Sequence, residues 1–580
     1  MPSEIRRHAR SPGATRAALV ALTTLILPAT ASADAFVRSQ AMLATTIVEA
    51  FVHPDRVTVD LEIGLTDLET FRNLLPDALY EKLGQEPVPL RERLARFFRE
   101  DLVITDGDGE PLPGRLLEVG PRARVRRDDI TGEPLPTSNE DEETVVFARL
   151  EYALRGQPGT LNLLARQGPR PANVGFVVYH EGIPVNDFRY LAPSQTLDLD
   201  WSDPWYTRFL SRALRRQYFE PMSGFLYVEP YEVRKEIVLR PLDLQQWVDL
   251  GLADRRTIPV ETQEELKRRV AAFLREHHPV EVDGRRIEPE LARVNFLERT
   301  LKTSRVIDPP RELDVHSAIL GVIFVYPTDG LPDRVTMDWD LWSDRIQQIP
   351  AAAVDQAGPL PVYLEPDFRL LEWHNFLKNP VLPTLRVLTP PPSALERALL
   401  LLRWVLLAAA LGAGWWCLRH PRRRIAATAL VLAVTGASFW ASRNAGLSDG
   451  RAREVVSGLL HNVYRAFDFR QDEEIYEVLA KSVTGELLAR IYLETRRGLE
   501  LANQGGARAK VKGVELVDLA AEPAEDGGFV ATVTWNVAGS VGHWGHVHER
   551  RNRYRAELDV TPVDGAWKLI DLEILQEERL

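Results

Sequence analysis

The chain runs to 580 residues, 45% of them hydrophobic and 27% charged, with a formal net charge of −12 and a single cysteine. That length holds several domains, and the composition is that of folded globular protein. The acidic balance excludes general nucleic-acid binding, which needs a basic footprint, and a lone Cys417 excludes an intrachain disulfide.

Residues 1–33 have the layout of a secretory signal peptide. Arg6, Arg7, Arg10 and Arg16 form a basic start, residues 17–27 an apolar run, and Ala31-Ser32-Ala33 a cleavage site before Asp34. Export is the expectation, with a mature chain beginning near Asp34.

Residues 34–202 and 222–387 repeat one another. A shift of 176 positions puts Val57 on Val233, Asp67 on Asp243, Leu68 on Leu244 and Phe71 on Trp247. The same shift lays LRERLARFFRE (90–100) on LKRRVAAFLRE (266–276). Val57, Val59, Leu61 and Ile63 alternate with polar residues, the period of a half-buried strand, and Glu236-Ile237-Val238-Leu239 is the counterpart. Asp67 and Asp243 stand where an N-cap accepts backbone N–H groups at the start of a short helix. Leu90, Leu94, Phe97 and Phe98 make a helical stripe, as do Leu266, Val270, Phe273 and Leu274. Each copy is expected to be a β-sandwich-like domain with a helical insertion, about 170 residues long and within the usual domain range. Residues 203–221 are expected to form a helical connection, and residues 388–397, with Pro390, Pro391 and Pro392, a stiff Pro-rich linker.

Chemistry-bearing motifs are sparse in this part. The DGDGE run at 106–110 lacks the spacing that closes a calcium loop and is read as a hairpin turn. His277-His278 ends a helix, where a cationic side chain suits the dipole. No G-x-S-x-G elbow, H-E-x-x-H pair, P-loop or dinucleotide fingerprint is present.

Residues 398–418 and 425–441 are apolar runs of about the length of a membrane-crossing helix. Between them, residues 419–424 carry Arg419, His420, Arg422, Arg423 and Arg424 around Pro421. A short basic loop of this kind reads as cytoplasmic. The expectation is a transmembrane α-helical hairpin in a bacterial inner membrane, two-pass, with both large regions on the extracytoplasmic side.

Residues 449–580 follow as a third folded region. Val455, Val456, Leu459, Leu460, Val463, Tyr464 and Phe467 share a helical face, a second helical region covers 472–502, and strands follow at 509–519, 529–537, 546–560 and 566–575. Helices followed by an antiparallel meander predict an α+β roll. This order, opening on VVSGLLHNVYRAFDF, resembles the cystatin-like α+β roll of nuclear-transport-factor-2-type domains. The resemblance implies a pocket, and such folds host enzymes, binding modules and assembly domains alike.

His543, His546 and His548 are the candidate ligand set. Strand parity places His546 and His548 on the face that continues through Asn552, Tyr554, Ala556, Leu558 and Val560. Three imidazoles can hold a divalent transition metal such as zinc or copper with a position left open. Packing beside Trp535 and Trp544 is the alternative role for them. The expected function is a membrane-anchored periplasmic scaffold or adaptor without catalysis, its partners the lipid bilayer and another envelope protein, with no nucleic acid. The alternatives are a metal- or small-ligand-binding envelope sensor at the histidine cluster, and a hydrolase or isomerase with His546 or His548 as base.

Overall fold

The computed structural model describes residues 40–580 except 126–142, 166–173, 217–218, 300–303, 381, 383, 470–471, 505–507, 525–526, 544–545 and, apart from isolated positions between 401 and 412, 391–448. The chain forms two compact units, Ala35–Lys378 and one containing Asn379–Leu580.

In the first unit the first copy contains β1 (Thr46–Val52), β2 (Arg56–Ile63), α1 (Asp77–Lys82), α2 (Leu90–Glu100), β3 (Leu102–Asp106), β4 (Gly114–Ala123), β5 (Thr144–Ala153), β6 (Thr160–Ala165), β7 (Val174–His180), β8 (Ile183–Pro184), β9 (Arg189–Tyr190), β10 (Ser194–Asp198) and β11 (Arg208–Phe209). One sheet runs β4-β5-β2-β1-β7-β8, with β9 on β7, and a second runs β11-β10-β6-β3. The second copy contains β12 (Met222–Glu229), β13 (Glu232–Leu239), α3 (Pro241–Leu244), β14 (Thr257–Ile258), α4 (Val260–Glu276), β15 (Val280–Val282), β16 (Arg285–Arg286), β17 (Glu290–Arg299), β18 (Ser304–Val306), β19 (Leu313–Asp314), β20 (Ile319–Pro327), β21 (Arg334–Asp338), β22 (Ile349–Asp355), β23 (Gly358–Leu364) and β24 (Leu370–His374). Its sheets run β18-β17-β20-β13-β12-β22-β23 and β16-β15-β21-β24. The order is the same in both copies, down to the one parallel pair, β1 with β7 and β12 with β22. Alternation explains the layering: Val57, Val59, Leu61 and Ile63 turn one side of β2 onto a core shared with Ile104, Leu161 and Leu163 of the second sheet.

Several sequence expectations need correction. Among the described residues no helix is long and apolar enough to cross a membrane. The longest described helix, Gly485–Gln504, carries Glu486, Arg490, Glu494, Arg496, Arg497 and Glu500, charges that a bilayer core penalises. The fold is a β-rich chain with several open sheets and seven helices among the described residues. The transmembrane hairpin and the two-pass inner-membrane location are therefore withdrawn. The runs at 398–418 and 425–441 and the basic loop between them fall almost wholly outside the described residues, as does the signal peptide at 1–33.

The expected helical connection at 203–221 is not a helix. It is a 3-10 turn at Pro204–Tyr206, the short strand β11, and a second turn at Arg212–Leu214. Its buried residues Trp205, Phe209, Leu214 and Phe219 do not share one helical face, and an extended path lets Phe209 reach the core. Asp67 and Asp243 are not N-caps either. Asp67 ends a 3-10 turn and accepts from the Thr45 and Thr46 hydroxyls, the latter at 2.7 Å. Asp243 lies inside α3 and faces Arg240.

Arg240 is the centre of the junction between the copies. Its Nη1 donates to Asp203 Oδ1 at 2.8 Å and to the His316 carbonyl at 3.1 Å, and its Nε donates to the Asp243 carboxylate. The Tyr206 hydroxyl also donates to Asp243, and His316 Nδ1 stands 3.5 Å from Asp203. Burial by itself lowers the proton affinity of Arg240, but the two carboxylates more than reverse this. The charge is paired and hydrogen-bonded, the condition under which burial is tolerated. Replacing Arg240 by Met strands two buried carboxylates and should cost about 3–5 kcal/mol in urea unfolding of the chain. The triple change D203N/R240M/D243N should recover most of that loss, because no bare charge remains.

His180 is buried at the end of β7, its Nδ1 2.7 Å from the Thr207 hydroxyl and its ring edge-on to Trp201 at 4.5 Å. Burial pushes it down to about 4, against a weaker pull from Asp200. His278, stacked on Trp339 at 3.8 Å, is likewise pushed down to about 4 by burial. Both folded-state values lie below the unfolded value of about 6.5, so the stabilisation is complete above that pH and is lost as pH falls towards 4. Urea midpoints should drop between pH 7.5 and pH 5, with a slope approaching about 1.4 kcal/mol per pH unit for each histidine. H180Q should flatten the profile; a midpoint that rose on acidification would contradict this account.

Candidate recognition groove

The second unit holds α5 (Asp449–Arg465), α6 (Asp472–Ala480) and α7 (Gly485–Gln504), packed on an antiparallel sheet β25 (Arg508–Pro523), β26 (Phe529–His543), β27 (His546–Val563) and β28 (Ala566–Arg579) in sequential order. Tyr554, Ala556, Leu558 and Val560 of β27 are buried against Val455, Leu459 and Val463 of α5. The interior of this roll is filled by aliphatic side chains around Tyr464, Phe529, Trp535, Tyr554 and Trp567. Trp535 stacks on Tyr554 at 5.5 Å and its Nε1 donates to the Tyr464 hydroxyl at 3.2 Å.

His543 ends β26 and His546 begins β27, directly opposed across the hairpin, and His548 pairs with Val541. The side chains of all three lie outside the described part. Among the described residues no group of three or more His, Cys, Asp or Glu could hold a metal.

What the structure brings together instead is a seat beside α5, formed with Ser482 and the start of β28. The segment Thr384–Thr389 lies in it as an extended chain. Asn462, buried on α5, clasps the main chain of Arg386: its Oδ1 accepts from Arg386 N and its Nδ2 donates to Arg386 O, each at 2.8 Å. Its Nδ2 also donates to the Ser482 hydroxyl at 2.8 Å, which fixes the orientation of the amide. The Leu388 carbonyl accepts from Trp567 N at 3.0 Å. His461 Nε2 donates to the Thr384 carbonyl at 2.9 Å, and Arg451 donates to the Thr389 carbonyl at 2.8 Å. Burial lowers the proton affinity of His461, consistent with a neutral ring whose proton sits on Nε2.

Leu385 and Leu388 pack onto the roll core, while Val387 points outwards. Gly458 makes room for Leu388. A Cβ there would stand 2.8 Å from both Leu388 methyl carbons. The groove thus reads two leucines three positions apart and otherwise holds main-chain atoms. Backbone-directed binding of this kind is how proteins capture extended segments of varied sequence.

None of Asn462, Gly458, His461 or Trp567 stands out as a site residue in the sequence. A signal was nonetheless there. A glycine and an asparagine interrupt the buried face of an apolar helix, where glycine costs about 1 kcal/mol relative to alanine. Residues 384–387, expected in the second copy, and Leu388 and Thr389, expected in the linker, are docked on the roll instead.

No family model matches this chain, and no curated protein does. Among solved structures, the chain is similar to the crystal structure of the intermembrane space region of the chloroplast protein ARC6, at 20% identity over 22% of this chain and 96% of that chain, with a TM-score of 0.15. A likeness at that score carries no argument about fold or function.

Removing the Asn462 amide leaves the Arg386 peptide without its partners, at a cost of about 1–3 kcal/mol. N462A should therefore let trypsin cut after Arg386 at least tenfold faster than in the unaltered chain, as read by mass mapping of early fragments. G458L, which evicts Leu388, should do the same. Equal cleavage rates would mean that the segment is not held by this groove.

Proposed function

We propose that the chain is a protein-recognition scaffold or adaptor with no catalytic step of its own, and that the roll is one of its binding modules. The observation that carries this reading is the grip of Asn462 on both the N–H and the C=O of one residue, Arg386, beside a leucine seat at Gly458. Such a grip recognises an extended chain whatever its remaining side chains are. The segment 384–389 then acts as an internal occupant that a partner segment with the same two leucines can replace. The helix-then-meander order, similar to that of nuclear-transport-factor-2-type rolls, fits a module of this class, since those folds serve binding and assembly as often as chemistry.

The test uses a fluorescent peptide covering residues 382–390 (LPTLRVLTP). The full chain carrying L385A/L388A, whose own segment is weakened, should bind it saturably. Adding N462A should abolish that binding. A vacated groove that takes up no peptide would sink the proposal.

A further inference from the structure

The duplication exposes a difference between the copies. In the first copy the outer edge of β10 is covered by β11, with Leu197 opposite Phe209 and Asp198 opposite Arg208, and Leu210 N donating to Thr196 O at 3.0 Å. Phe209 is fully buried and meets Phe176 of β7 edge-on at 5.6 Å. Arg208 stands 3.5 Å from Asp198. The strand that follows the first copy therefore seals the open side between its two sheets.

In the second copy β24 takes the place of β10, and among the described residues no strand pairs with its outer edge. The ladder to β21 runs through Asn375 N to Asp333 O and Trp339 N to Arg369 O, both 2.9 Å. Alternation in an antiparallel pair then turns the peptide groups of Leu370, Glu372 and His374 outwards. Behind this edge lies β23. Leu360 and Val362 oppose Ala353 and Ala351 of the core and so share their face, yet they are 54% and 40% exposed. Phe368, on the turn between the two strands, is 74% exposed. Apolar side chains at core-facing positions remain in water only where a covering layer is missing.

The neighbouring edge, β23, is closed to strand addition. Pro359 and Pro361 oppose Val354 and Ala352 and lack N–H groups, so of the three outward positions only Tyr363 keeps a donor. On this side of the copy β24 alone, among the described strands, keeps a donor at every outward position. Glu365 and Asp367 are exposed carboxylates on the turn before β24, while Glu372 already pairs with Arg334 and His374.

We propose that the outer edge of β24 takes an extended basic–aromatic segment of another polypeptide as an added antiparallel strand, in the place that β11 fills in the first copy. The chain's own segment of this type, residues 208–210, is consumed in the first copy, so the occupant comes from a partner. The peptide bonds to the outward groups of Leu370, Glu372 and His374, sets its aromatic side chain over Leu360 and Val362, and turns its basic residue towards Glu365 and Asp367. This edge is in a different unit from the Asn462 groove, so the two readings stand or fall separately.

The probe is a labelled peptide of residues 206–211 (YTRFLS), added to the full chain. It should bind saturably and slow amide hydrogen exchange at Leu370, Glu372 and His374 at least tenfold. E372P removes one outward donor without touching the ladder to β21, and L360D/V362D makes the backing surface polar. Each should weaken binding at least tenfold while leaving the far-ultraviolet spectrum unchanged. N462A should bind the peptide as the unaltered chain does. Absence of saturable binding, or binding indifferent to both E372P and L360D/V362D, would overturn the proposal. So would self-association of the chain that E372P abolishes while no peptide binds, because the edge would then belong to a second copy.

Discussion

One buried guanidinium sets the architecture of the first unit. Arg240 opens the α3 turn of the second copy, and its partner Asp203 lies at the end of the first. A charge in this position has no water to fall back on, so it holds the two carboxylates at one distance and one angle. Tyr206, Trp205 and Arg345 crowd the same point, the last with its guanidinium 4.7 Å above the Tyr206 ring. Because Asp203 is fixed, the residues after it are steered along the first copy. They enter as β11 and close its open side. Among the described residues the second copy has no such continuation, and no strand pairs with the outer edge of β24.

The second unit solves a related problem by another route. A stretch leaving the first unit would be a loose tether if its peptide groups met only water. Asn462 supplies what a neighbouring strand would supply, one acceptor and one donor facing the N–H and C=O of the same residue. The two leucines then give apolar contact, and Gly458 lets them approach the helix closely. In both units an extended segment is held mainly by its backbone. The recognition role proposed above rests on that common mode, whose specificity lies in shape and in a few apolar anchors.

The legible part of this chain was periodic. Alternation over residues 57–63 marks a strand because side chains of a strand point to opposite faces, and every second residue there is buried in β2. The stripe through Leu266, Val270 and Leu274 marks α4 because those positions share one helical face, and all three are buried. The shift of 176 positions carries Val57 in β2 to Val233 in β13, and the two strands occupy the same place in their sheets. The long apolar runs at 398–441 record local hydropathy only, and the spanning hairpin read from them does not stand.

Local pattern thus determined which stretches are strand or helix and that one arrangement occurs twice, because those properties depend on neighbours within a few positions. Tertiary structure alone decided the rest. Asp67 and Asp243 look like caps by position, yet their carboxylates answer to hydroxyls and a guanidinium from other elements. Residues 203–221 look helical, yet Phe209 gains more from a buried place beside β10 than a helix turn would return. Asn462 is one polar residue on an apolar face until a peptide from 76 positions away is laid against it. Such partners lie far apart along the chain, and spacing within a segment holds no record of them.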